Sequence, residues 1–123
     1  MIIRSVLSKS QAALWCYLIM TLNTPALAAE NIQEIYSVRI KNHEFLPNEL
    51  MVPAGQKIKI TVENLDPTPE EFESYDLHRE KVISGNSKVI LFIGPLKPGA
   101  YKYFGEFHQE TAQGTILVKE DKS

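Results

Sequence analysis

Residues 57–64 read Lys57-Ile58-Lys59-Ile60-Thr61-Val62-Glu63-Asn64, and their alternation decides the fold class. Successive side chains of an extended chain point to opposite faces, so Ile58, Ile60 and Val62 form an apolar face and Lys57, Lys59, Thr61 and Glu63 a polar one. A strand apolar on one side needs a second layer to cover it.

The same period recurs on both sides of this run. Upstream lies the turn Pro53-Ala54-Gly55, preceded by Glu49–Val52, by Phe45-Leu46-Pro47, and by the alternating run Ile35–Lys41. Downstream, Leu65–Pro69 is a proline-rich loop, followed by predicted strands at Glu71–Asp76 and Arg79–Ile83 and a break at Gly85-Asn86. Lys88–Ile93 is more continuously apolar, which predicts a central strand. After the turn Pro95–Gly99, Tyr101–Phe104 and Thr115–Lys119 supply the last two strands, and Glu120–Ser123 is a charged tail. No segment holds a helical period long enough to stand alone. Seven or eight short strands between turn signals predict an all-β chain folded as an antiparallel β-sandwich.

The first 28 residues do not fit that pattern. Arg4 and Lys9, an apolar stretch from Ala12 to Leu22, Pro25 and then Ala26-Leu27-Ala28 have the layout of a secretory signal peptide cleaved after Ala28, leaving a single domain over 29–123. Cys16, the one cysteine, would leave with it, so the mature domain has neither a disulfide nor a thiolate ligand although it would sit in an oxidising compartment. Of thirteen basic and fifteen acidic residues only Arg4 and Lys9 are lost, which sets the mature formal charge at −4. An acidic exported domain is a poor partner for nucleic acid or anionic lipid.

Several chemistries are excluded. The mature chain has no cysteine nucleophile, no G-x-S-x-G elbow, no phosphate-binding glycine loop and no H-x-x-x-H pair among His43, His78 and His108. What remains is an acidic stretch and a loop histidine. Strand parity sends Glu71 and Glu73 to one face and Glu70 to the other, inward with Phe72. Carboxylates so clustered repel unless water or a cation neutralises them, and a solvated acidic rim would look the same in sequence. Glu106 and His108 share a parity, so both face a common point if the last strand continues that far. His78 shares one with Glu80. His43 and His78 read as solvent-facing. Carboxylates with one imidazole suit iron, Mn(II), Cu(II) or Zn(II) rather than Cu(I), which prefers sulfur.

The mature chain as a whole resembles the cupredoxins. Phe45-Leu46-Pro47, then Leu50–Lys57, then the strand ending at Asn64-Leu65-Asp66 are similar to the first third of many single-domain members, which implies a Greek-key β-sandwich. Where those proteins place their first copper-ligating histidine this chain has Glu70, where they place cysteine it has Gly105, and Ala112 or Gln113 stands near the methionine position. Only His108 matches a usual ligand, so type 1 blue-copper electron transfer is not expected.

A narrower resemblance runs through Glu71-Phe72-Glu73-Ser74, Leu77, Glu80-Lys81, Pro95–Gly99, Phe104–His108 and Thr111–Gly114. These residues are similar to small periplasmic cupredoxins associated with bacterial high-affinity iron permeases. The resemblance implies a periplasmic accessory of ferrous iron uptake, partnered by an inner-membrane iron permease complex, that holds a copper or iron ion and assists oxidation of Fe(II). It implies metal ligands at Glu71, Glu73, Glu80, Glu106 and His108, with Glu70 in the histidine slot. The alternative is a metal-free adaptor that docks a basic partner through its acidic face.

Overall fold

Alternation of buried and less buried residues, clearest in the strands at Tyr36–Lys41, Ile58–Asn64 and Glu70–Ser74, builds two facing sheets. The computed structural model describes residues 35–121; the expected signal peptide over 1–28, including Cys16, lies outside the described residues. The strands are β1 (Tyr36–Lys41), β2 (Glu44–Leu46), β3 (Glu49–Pro53), β4 (Ile58–Asn64), β5 (Glu70–Ser74), β6 (Arg79–Ile83), β7 (Ser87–Ile93), β8 (Gly99–Gly105) and β9 (Gln113–Lys119), with a 3₁₀ turn at Glu106–His108 between the last two. One sheet has the order β2-β1-β4-β7 and the other β3-β9-β8-β5-β6. Among the described residues no helix is long and apolar enough to cross a membrane.

The expected sandwich is present, with two corrections. It is mixed rather than wholly antiparallel, because β1 runs parallel to β4 and β3 parallel to β9. Those neighbours are not consecutive in sequence, so the chain crosses between sheets before pairing, and alternation alone carries no information on strand direction. Lys88–Ile93, expected at the centre of a sheet, forms β7 at an edge. Its continuous apolar character divides by face: Leu91 and Ile93 are buried, while Ile90 and Phe92 stand half exposed. The Phe92 ring lies 4.7 Å from Lys57 Nζ, and Arg79 Nε donates to the Phe92 carbonyl at 3.0 Å, which blunts the open edge.

The core lies between the inner faces. Val38 and Ile40 of β1, Ile58, Ile60 and Val62 of β4, and Ile93 of β7 pack toward Val52, Phe72, Ile83, Tyr103, Ile116 and Val118 of the second sheet. Each such side chain contributes about 1.5–3 kcal/mol when fully buried. At one end Phe45, Phe72 and Tyr103 form an aromatic cluster, with Tyr103 stacked on Phe72 and edge-on to Phe45, both at 4.9 Å between centroids. Tyr103 also lies flat over Gly114, its cross-strand partner, where a β-carbon would come within 2.2 Å of the ring. Only glycine fits beneath that ring.

Candidate metal centre

Three connections converge at the end of the sandwich where β1, β4 and β8 finish: the β1–β2 turn, the loop leading into β5, and the β8–β9 connection. Each supplies one donor. The turn carries His43, the start of β5 carries Glu70, and the 3₁₀ turn carries His108, and one ligand atom from each lies within 4.8 Å of the others.

Glu70 points inward, as its parity with Phe72 requires, and its side chain is only 2% exposed. A buried carboxylate needs partners for its lone pairs. Oε1 accepts the amides of Glu71 and Phe107, each at 3.0 Å, and Oε2 lies 2.5 Å from His108 Nδ1. The two amides hold the carboxylate in place and leave Oε2 facing the histidines. The His43 and His108 rings stack 3.5 Å apart at an interplanar angle of 13°.

Two imidazoles and a carboxylate are a donor set used for non-haem Fe(II), and one that Cu(II) and Zn(II) also accept. A type 1 copper centre does not fit these residues. No cysteine lies among the described residues, position 105 is glycine, and a β-carbon there would meet the Glu70 Oε1 at 2.8 Å and the Ala112 β-carbon at 2.6 Å. Glu70 therefore occupies the volume a side chain at 105 would need. Near the expected methionine position Ala112 is fully buried, and Gln113 turns outward to donate to the Gln109 carbonyl at 3.0 Å.

The remaining expected ligands gather elsewhere. Glu71, Glu73 and Glu80 bring carboxylate oxygens within 4.8 Å of one another on the outer face of the β5–β6 pair, where Glu73 and Glu80 stand directly opposite. Partial desolvation, then repulsion from Glu80, Glu71 and Glu106, push the Glu73 carboxyl above the ordinary glutamate value. Among the described residues no lysine or arginine pairs with these three, and neighbouring Arg79 is engaged with the carbonyls of Phe92 and His78. His78 is exposed on the turn before Glu80.

The expectation that Glu106 and His108 face a common point is not met. The strand ends at Gly105 and the 3₁₀ turn cancels the period of two, so Glu106 joins the field of the outer carboxylates while His108 turns back over Glu70. The six expected ligands thus divide into an inner pair, Glu70 and His108, and an outer group of Glu71, Glu73, Glu80 and Glu106. Sequence reasoning left His43 on the surface. It is half-buried and belongs to the inner group.

Comparisons with known proteins agree with this architecture. A family model described as a cupredoxin-like domain matches residues 11–118, and the chain belongs to that family. An uncharacterized protein of Rickettsia prowazekii (strain Madrid E) is 47% identical over 98 residues, covering 80% of this chain and 78% of that one. Among solved structures, auracyanin A, a blue copper protein of Chloroflexus aurantiacus, superposes with a TM-score of 0.60 at 16% identity, over 70% of this chain and 98% of its own. Amicyanin from Paracoccus versutus gives 0.56 at 18% identity, over 70% and 82% of the two chains. A purple cupredoxin from Nitrosopumilus maritimus gives 0.55 at 20% identity, over 68% and 99%. At these identities the structural matches establish the fold alone.

Proposed function

We propose that this cupredoxin-like protein is an exported metal-binding accessory of a ferrous iron uptake system, holding Cu(II) or an iron ion through imidazole and carboxylate donors. The observation that carries the reading is the convergence of His43, Glu70 and His108 within 4.8 Å at the end of a sandwich whose thiolate position is filled by a carboxylate. Anionic oxygen donors favour the more highly charged state of a redox metal, so such a site suits retention of Cu(II) or Fe(III) better than rapid cycling. The protein would then assist Fe(II) oxidation at the permease by binding metal rather than by turnover of its own. Support for the iron permease and for the periplasm comes from the resemblance through Glu71–Ser74, Glu80 and Phe104–Gly114 and from the signal-like residues 1–28.

The outer carboxylates support a second reading. Glu71, Glu73 and Glu80 form an acidic face with no ion pair among the described residues, which a basic surface of a membrane partner would neutralise. Metal analysis of the protein purified from its own periplasm, followed by the Glu71→Gln/Glu73→Gln variant, separates the two. Retained metal with lost iron uptake favours docking through the acidic face. Protein recovered without stoichiometric copper or iron would contradict the metal-binding reading.

A further inference from the structure

His43 owes its position to two groups far away in sequence. Asn42 and His43 both have positive φ, 51° and 59°, the pair of left-handed residues that a two-residue hairpin turn requires. Glycine is the usual second residue of such a turn, and a histidine there carries the cost of a crowded β-carbon. Asp66, 5% exposed, opposes that cost. Its Oδ1 accepts the Asn42 amide at 2.8 Å and its Oδ2 the His43 amide at 2.9 Å, so both amides at the tip of the turn end on one carboxylate. The same Oδ2 lies 3.6 Å from His43 Nδ1. Asp66 is itself fixed, its amide donating to Asn64 Oδ1 at 3.0 Å and its carbonyl accepting the Asn86 amide at 2.9 Å. From the β8–β9 connection, Thr111 Oγ1 donates to the His43 carbonyl at 2.6 Å.

We infer that Asp66 and Thr111 are positioning residues that hold His43 as a ligand beside His108, an inference that rests on the metal-binding reading above. A carboxylate beside one ring nitrogen of a ligating histidine fixes the ring's orientation and leaves the other nitrogen for the ion. Asp66 Oδ2 stands beside Nδ1 at ion-pair distance, and through the two backbone amides the same carboxylate keeps the turn left-handed. Thr111 ties the turn to the connection that carries His108, so the two rings stay neighbours. An Asn-Gly turn would close the same hairpin without a buried acid. The acid is accounted for by the histidine it holds.

The test is titration of the purified protein with Cu(II), followed by calorimetry and by electron paramagnetic resonance that counts coordinated imidazole nitrogens. The native protein and the His43→Ala, Asp66→Asn and Thr111→Val variants are compared. The native protein should show two nitrogens and His43→Ala one. Asp66→Asn and Thr111→Val should weaken binding by about 10–100-fold and move the spectrum toward that of His43→Ala. Thr111 is exposed, so its variant should still fold, and it decides the matter if Asp66→Asn does not. Two nitrogens and undiminished affinity in Thr111→Val, or in a folded Asp66→Asn, would overturn the positioning role while leaving the metal site standing. A native protein that shows no imidazole coordination would overturn both.

Discussion

The carboxyl carbon of Glu70 lies 2.7 Å from the place that a β-carbon on Gly105 would take. The two positions are complementary: one side chain fills the space that the other leaves. Gly105 has an ordinary extended backbone, φ −89° and ψ 111°, so it is required for room and not for conformation. The Gly105→Ala variant should lose about 1–3 kcal/mol through overpacking against Glu70 and Ala112. A double-mutant cycle with Glu70→Ala, read by denaturant unfolding, should give a coupling of about 0.5–3 kcal/mol, incomplete because the Ala112 contact remains. Additive losses would mean that the two positions do not share this volume.

Tyr103 is the buried residue whose hydroxyl has no hydrogen-bond partner among the described residues, and burial pushes its phenol well above the usual value. Removing a buried, unpartnered hydroxyl relieves a desolvation cost. Tyr103→Phe should leave stability unchanged or raise it by about 1 kcal/mol, a gain of about 4–8 °C in a domain of this size. A clear loss in Tm would show that the hydroxyl is satisfied by a water.

Glu73 has a carboxyl raised by desolvation and then by its acidic neighbours, with Glu80 first among them. A carboxyl raised in the folded state binds more protons there than in the unfolded chain, so its contribution to stability falls as pH rises through the folded value. Glu80→Gln should therefore bring the Glu73 carboxyl down toward the ordinary range, read by carboxyl chemical shifts through an acid titration. A Glu73 value that does not move would remove the repulsion from Glu80 as a cause.

Asp66 behaves oppositely. Desolvation raises it, but the donated amides of His43 and Asn42, followed by the charges of His43 and Lys41, outweigh burial and hold it below the ordinary aspartate value of 3.8. Its contribution is fully present above 3.8 and is lost as pH falls from there through the lower folded value. A folded Asp66→Asn protein should show a shallower loss of stability than the native protein between pH 4 and the acid limit, measured as Tm against pH. Parallel curves would contradict this assignment.

Much of the fold was legible because a half-buried strand writes its period directly. Ile58–Asn64 and Tyr36–Lys41 are strands that alternation locates almost to the residue. Glu70 was legible for the same reason, since sharing a face with Phe72 forces it inward. The losses occur where the period stops. Glu106 was assigned by parity across a 3₁₀ turn, and β7 was read as central because exposed Ile90 and Phe92 count as apolar in sequence. His43 was missed because its placement comes from Asp66 and Thr111, 23 and 68 residues away. The one local sign was Asn42-His43 at a hairpin tip where glycine would ordinarily stand.

The inner metal site is tested by metal titration of the native protein beside His43→Ala, Glu70→Gln and His108→Ala, with Cu(II) and Fe(II) added separately. One ion should bind per chain for a metal the site accepts, with nitrogen coordination and no intense thiolate charge-transfer band, and affinity should be lost in all three variants while Glu71→Gln/Glu73→Gln retains it. Stoichiometric binding that survives all three inner changes, or no binding by the native protein at all, would contradict an inner metal site.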